Sequence, residues 1–146
     1  MTWNLNTIIV GVDGSEGAER AARHAVDVAR TTGAKLYIAT VVRPPEGWWG
    51  IGGAPPTPEA LSTALIEGQK EVLDNLVAAL DLEGVDYETL QDLGDPASRL
   101  IAIAEERNAD LMVIGRRGAG LVERVIIGSV ADRICHHSPC PVLLIP

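Results

Sequence analysis

The chain has 146 residues, of which 12 are basic and 20 acidic, so its formal net charge is −8. That length predicts one domain with its own core, and the negative charge disfavours binding to nucleic acid or to an anionic membrane face. Apolar residues make up 47% of the chain, which excludes a disordered protein. Because there are three Trp, two Tyr and no Phe, the core must be aliphatic.

Targeting signals are not evident in the sequence. No apolar run reaches the roughly 18 residues that a membrane-spanning helix needs. We expect no signal peptide, since no basic segment followed by an apolar stretch opens the chain, and we expect a cytoplasmic location. In that compartment Cys135 and Cys140 are expected to be thiols rather than a disulfide.

Two hydrophobic periods alternate along the chain. Short apolar runs predict buried strands, and apolar residues three to four positions apart predict amphipathic helices. In chain order these patterns predict a strand at 7–12, a helix at 17–30, a strand at 35–42, a helix at 58–80, a strand at 85–90, a helix at 96–107, a strand at 110–115, a helix at 128–137 and a strand at 141–145.

Local signals support several of these boundaries. Gly33 is a plausible stop for the first helix, and Asp95 can cap the third with Pro96 at its first position. The second helix is predicted to place one set of apolar side chains on one side, namely Leu61, Leu65, Val72, Leu76 and Leu80.

Strands that alternate with helices predict a single α/β domain, a three-layer sandwich with helices on both faces of a five-stranded, mainly parallel sheet. Such sheets bind ligands beyond the carboxyl ends of the strands, where the strand order reverses. The positions of functional interest are therefore 11–17, 41 onward and 115 onward.

A glycine motif follows the fourth predicted strand. Gly115, Gly118 and Gly128 are spaced Gly-x2-Gly-x9-Gly, and Ser129 comes next. Glycine lets a backbone approach a ligand closely, and a helix that opens at Gly128 offers free N–H groups and its dipole to an anion. The motif predicts a phosphate cradle. Alternatively, Gly118 and Gly120 are ordinary loop glycines and Ser129 is a helix cap.

This spacing resembles the ATP-binding motif of the universal stress protein family. Three other stretches resemble the opening strand and loop, the fourth strand and the end of that family: Ile8 to Ser15, Ala109 to Gly115, and Gly128 to Ala131 together with His137 to Leu143. The resemblance covers nearly the whole chain, except for residues 43–58, and it implies one Rossmann-like universal stress protein domain over residues 1–146. Since every residue of the motif is present, the chain resembles the ATP-binding branch.

The resemblance implies an adenosine subsite at the ends of three strands. Asp13 and the backbone around Val41 would contact adenine, and Gly11, Val12 and Gly115 would lie near the adenosine. ATP is the implied ligand, with AMP or a cyclic nucleotide as the alternative.

The resemblance also implies a phosphate subsite and a dimer. Gly118, Gly128, Ser129 and the N–H of Val130 would hold the phosphates, which Mg²⁺ or Mn²⁺ would bridge. The last strand, Pro141 to Ile145, would pair with its copy in a homodimer. The implied role is that of a nucleotide-responsive protein in the stress response.

Other ligand and enzyme classes fit the sequence less well. No Walker sequence is present, and the loop Gly11-x2-Gly14-x2-Gly17 departs from the dinucleotide-binding pattern. Within 135–140, Cys135 and the two following His point about 100° apart on a helix, so no metal site is expected. Nothing supplies a nucleophile or a general base, and we do not expect an enzyme. Slow ATP hydrolysis or autophosphorylation stays open, as does an interaction or scaffold protein with no nucleotide bound in the cell.

Several side chains near the predicted site have two interpretations. Asp13 is either a nucleotide contact or an ordinary Asp–Gly turn residue, and Ser15 is interpreted as a helix cap. Trp48–Trp49 either covers a binding surface or packs on the following helix. Three arginines are phosphate contacts or simple loop charges: Arg116, Arg117 and Arg124.

Overall fold

The fold follows from a computed structural model that describes residues 3–44, 58–117 and 127–146. Strands and helices alternate in the order β1 (Thr7–Gly11), α1 (Glu16–Thr32), β2 (Lys35–Val42), α2 (Pro58–Ala79), β3 (Tyr87–Leu93), α3 (Pro96–Glu106), β4 (Leu111–Gly115), α4 (Ser129–His137) and β5 (Val142–Ile145). Every predicted element is present. The largest boundary error is at β3, which was predicted at 85–90.

One sheet joins the strands in the order β3-β2-β1-β4-β5, and all pairings between the described strands are parallel. At the centre, Val10 of β1 pairs with Ile38 of β2 on one side and with Val113 of β4 on the other. The chain adds strands outward from β1 to β3 and then returns to add β4 and β5 on the other side. The strand order therefore reverses between β1 and β4, which places their carboxyl ends at the switch point of the sheet.

The core forms two aliphatic layers, one on each face of the sheet. Ile8 and Val10 point to the layer covered by α1 and α2, whereas Ile9 points to the layer under α3 and α4. All three side chains are fully buried. Burial on both faces explains why the first strand has an unbroken apolar sequence instead of an alternating one.

Helix ends follow the local signals in the sequence. The Ser15 hydroxyl accepts from the N–H of Ala18 at 3.2 Å and caps α1, which ends at Gly33 with a left-handed φ of 75°. Asp95 caps α3, with Pro96 in its first turn. The predictions for Ser15, Gly33 and Asp95 are therefore confirmed.

The apolar side of α2 differs from the prediction. Leu73 is 3% exposed and Leu80 is 8% exposed, with Leu76 packed against the same layer, so these residues make the core contact. Val72 is half-buried and lies next to Gly14 instead. The sequence predicted Val72 on the core side of α2, whereas the buried residue is Leu73. Both residues are apolar and adjacent, so the apolar pattern alone does not decide which of them faces the core.

Other structural features bear on the excluded classes. Within the described ranges no helix is both long and apolar enough to cross a membrane. The same ranges contain no group of three or more His, Cys, Asp and Glu side chains that could hold a metal ion. Cys135 is an exposed free thiol and Cys140 is a half-buried one.

Candidate functional site

A cleft opens beyond the carboxyl ends of β1 and β4, where the strand order reverses. It encloses about 770 Å³, part of it open to solvent. The cleft therefore has the position expected of a ligand site in a parallel sheet.

The predicted site residues converge on this cleft from separate parts of the chain. All of those within the described ranges line it: Gly11, Val12, Asp13, Val41, Gly115, Gly128, Ser129 and Val130. Gly118 lies outside the described residues, as do Gly120, Arg124 and Trp48–Trp49. The structure thus brings together the two ends of the predicted site, and their ligand contacts stay predictions.

The sequence did not indicate one wall of the cleft, which α3 supplies through Pro96 and Leu100. The only local signal was the position of Pro96, one residue after a predicted cap near the carboxyl end of a strand. α3 packs against β2 and β3, and the Leu100 side chain lies against Gly11 at the end of β1. A Cβ on Gly11 would lie 2.9 Å from Cδ1 of Leu100, so glycine allows this close contact.

The loop after β1 is a tight turn organised by Asp13. Its Oδ1 accepts from the N–H of Ser15 at 3.0 Å and from the Ser15 hydroxyl at 2.5 Å, while Gly14 takes a left-handed φ of 83°. Asp13 is therefore a turn residue, as one of its two interpretations predicted. The residue is also exposed at the edge of the cleft, so a ligand contact there stays a prediction.

The start of α4 also lines the cleft. Its N-cap is Gly128, with φ −69° and ψ 156°, and none of the described residues caps the helix through a side-chain hydrogen bond. The alternative that Ser129 is the cap is wrong, since Ser129 is the first helical residue and is exposed. The N–H of Gly128 donates to the carbonyl of Arg116 at 2.8 Å, which ties the helix start to the end of β4. A helix start without a side-chain cap attracts anions.

The two described arginines after β4 differ in position. Arg117 lines the cleft, as a candidate phosphate contact should. The backbone N–H of Arg116 donates to the carbonyl of Ile145 at 2.7 Å, and its side-chain Nε is buried with no hydrogen-bond partner among the described residues. Arg117 is therefore the better placed of the pair to face an anion.

Beside the cleft lies an ion-pair cluster that we call the Asp95 cluster, formed by Asp95, Ser98, Arg43 and Arg133. Asp95 accepts from the Ser98 hydroxyl at 2.7 Å, from Arg133 Nη1 at 2.6 Å and from Arg43 Nη2. Hydrogen bonds from Ser98, then from Arg133, lower the pKa of Asp95 far below its ordinary value. The sequence predicted the cap but not the ion pairs, whose arginines lie 52 and 38 residues from Asp95.

Comparison with known proteins shows the protein family to which this chain belongs. The model of the universal stress protein family matches residues 4–146. The chain therefore belongs to the universal stress protein family, as the resemblance of its motifs predicted.

Individual relatives agree with this assignment. A universal stress protein of Methanocaldococcus jannaschii is 33% identical over 145 residues, covering 94% of this chain and 80% of that protein. The solved universal stress protein of Archaeoglobus fulgidus in complex with dAMP is 26% identical, with a TM-score of 0.68 over 99% of this chain and 100% of that one. A universal stress protein solved in complex with cAMP is 29% identical, with a TM-score of 0.68 over 97% of each chain.

Proposed function

We propose that this chain binds an adenine nucleotide in the cleft, with ATP as the ligand, and acts as a nucleotide-responsive protein of the cytoplasmic stress response. The observation that carries the proposal is the convergence on one cleft of residues predicted separately for the two ends of a nucleotide. The relatives solved with dAMP and with cAMP support adenine as the base.

The two ends of the cleft suit the two ends of such a ligand. Val12, Val41, Leu100 and Ile114 supply apolar surface for a base and a ribose. The start of α4 supplies its first N–H groups, and the helix dipole there favours negative charge. The apolar half would hold the adenosine and the α4 half its phosphates.

Charged and hydroxyl groups at the α4 wall add to this arrangement. The Ser129 residue is exposed at the cleft and its hydroxyl can donate to a phosphate oxygen, and Arg117 also lines the cleft. Mg²⁺ or Mn²⁺ would enter with the nucleotide and neutralise its phosphates.

The first experiment identifies the ligand directly. The purified protein is denatured, any released nucleotide is identified by chromatography, and ATP with Mg²⁺ is titrated into the folded protein by calorimetry. Co-purified adenine nucleotide supports the proposal, as does a micromolar dissociation constant, which corresponds to a binding free energy of about −8 kcal/mol. A folded protein that releases no nucleotide and gives no heat overturns it.

Two variants at one position then test the α4 wall. Ser129→Ala removes only the hydroxyl, whereas Ser129→Pro also removes the N–H. Proline fits the first helical position, and the extended ψ of 156° at Gly128 is compatible with a following proline. Each lost hydrogen bond to a charged phosphate should cost about 1.5–3 kcal/mol, so the affinity should fall from wild type to Ser129→Ala to Ser129→Pro. Equal affinities of the three proteins would contradict phosphate binding at α4.

A homodimer through Pro141 to Ile145 is the second part of the proposal. β5 lies at the edge of the sheet, so one side of its backbone has no strand partner within the described chain. Leu143, in the middle of β5, is 37% exposed. An apolar edge strand tends to pair with another chain. A second copy of β5 would supply hydrogen-bond partners for the unpaired backbone groups and would bury Leu143.

A further inference from the structure

The carboxylate of Asp95 lies where three segments of the chain meet. As the N-cap of α3 it accepts from the N–H of Ser98 at 3.1 Å. It also accepts from Arg43, which follows β2, and from Arg133 in α4 at 2.6 Å. Arg133 donates in addition to the Ser98 hydroxyl at 3.0 Å, so α3 and α4 are joined at two points.

Each of these segments also forms a wall of the cleft. Val41 lines it two residues before Arg43, and Pro96 lines it one residue after Asp95. On α4 the wall is Ser129 to Ala131, within one helical turn of Arg133. Asp95 itself is not among the described residues that line the cleft, so an effect of its carboxylate on a ligand would have to act through the walls.

We propose that Asp95 is a positioning residue that holds the end of β2 and the start of α4 at a fixed distance from α3. It thereby sets the separation between the adenosine end and the phosphate end of the cleft. This inference rests on the proposed function, since it assumes a nucleotide whose base lies near Val41 and whose phosphates lie at α4.

The charge of Asp95 can be separated from its role as a helix cap. Asn and Asp are equally good N-caps, so Asp95→Asn keeps the cap of α3 and removes the negative charge that attracts the two arginines. A single ion pair at the surface contributes little, but here one carboxylate, 31% exposed, connects three walls. If a wall is free to move, the binding affinity should fall more for a ligand that spans the cleft than for a ligand that contacts a single end.

The chain offers a matched control in Asp92. Its Oδ2 accepts from Arg99 Nε at 2.6 Å, and its side chain is 29% exposed, close to the value for Asp95. That ion pair joins β3 to α3 and involves neither Arg43 nor Arg133. Asp92→Asn therefore removes a comparable ion pair from the same helix while leaving the Asp95 cluster intact.

The experiment measures dissociation constants for ATP with Mg²⁺ and for adenosine by calorimetry in the wild type, Asp95→Asn and Asp92→Asn. We expect Asp95→Asn to weaken ATP binding by about five- to tenfold and adenosine binding by less than about twofold. Asp92→Asn should leave both constants within about twofold of the wild type.

A thermodynamic cycle with Arg133 separates positioning from general destabilisation. Arg133→Gln should weaken ATP binding by no more than Asp95→Asn does, because the ion pair between Arg43 and Asp95 stays in place. The double variant should lose less affinity than the sum of the two single losses, because both changes break the connection between α3 and α4. Arg133→Gln also carries the test by itself if Asp95→Asn does not fold.

Three results would overturn the inference: unchanged ATP affinity in Asp95→Asn, equal losses for ATP and adenosine, or additive losses in the double variant. They are distinct from a failure of the proposed function, in which the wild type itself binds no ATP and both proposals fall. A wild type that binds ATP while Asp95→Asn binds equally well overturns the positioning role alone.

Discussion

The backbone of Gly17 lies directly against the carbonyl oxygen of Arg117: a Cβ added to Gly17 would be 2.8 Å from that oxygen. Gly115 approaches Gly17 in the same way, since a Cβ on Gly115 would lie 3.0 Å from the carbonyl carbon and oxygen of Gly17. The start of α1 therefore meets the end of β4 backbone to backbone. Arg117, whose carbonyl makes this contact, also lines the cleft.

Alanine at Gly17 should be destabilising for this reason. Its methyl group would displace the Arg117 carbonyl, and overpacking of this kind costs about 1–3 kcal/mol. Gly68, within α2, is the control, because a Cβ there would meet nothing within 4 Å and its φ is not left-handed. Gly68→Ala should raise the free energy of unfolding by about 0.5–1 kcal/mol. Urea denaturation measures both variants, and a gain in stability for Gly17→Ala would show that the close contact is absent.

The pH dependence of stability should reveal the Asp95 cluster. Hydrogen bonds from Ser98 and Arg133 lower the pKa of Asp95 in the folded protein. Because the folded pKa lies below the unfolded one, the ionised cluster stabilises the fold fully above the unfolded value of about 3.9, and this contribution is lost as the pH falls further. The free energy of unfolding of the wild type should therefore exceed that of Asp95→Asn at neutral pH, and the difference should shrink below about pH 4. Parallel pH profiles of the two proteins would contradict this.

The two thiols should react at different rates. Cys135 is exposed, whereas Cys140 is half-buried and burial raises the pKa of its thiol. Since only the thiolate reacts, Cys140 has both less access and less of the reactive form near pH 8. A disulfide reagent should show one fast thiol and one slow thiol in the folded protein. Cys135→Ser should abolish the fast phase and Cys140→Ser should preserve it, and the reverse assignment would be inconsistent with the structure.

The parts of the fold that the sequence predicted are those with local causes. The apolar run of β1 predicts a strand buried on both faces, and Ser15, Gly33 and Asp95 mark helix ends through their own backbone and side-chain chemistry. The bounds of β3 were less accurate. β3 is an edge strand with no fully buried residue, so its sequence lacks the regular pattern of apolar residues that would mark its ends.

The candidate site divides in the same way. The loops after β1 and β4 could be predicted because glycines directly follow two apolar runs, at the carboxyl ends of strands in a predicted parallel sheet. The wall from α3 could not, since the approach of Leu100 to Gly11 depends on how the helix crosses the sheet. The ion pairs of Asp95 join residues that are far apart in the sequence, so no local sequence pattern predicts them.

Substitution of Leu143 tests the dimer proposed through β5. Leu143 is 37% exposed on an edge strand, and lysine on edge strands opposes pairing with another chain. If two copies meet along Pro141 to Ile145, Leu143→Lys places two like charges near the interface, and sedimentation should show a shift from dimer to monomer. Tyr87→Lys is the matched control, because Tyr87 is 39% exposed on β3 at the opposite edge. A dimer that survives Leu143→Lys but dissociates with Tyr87→Lys would move the interface to β3, and a wild type that is monomeric at every concentration would remove the dimer from the proposal.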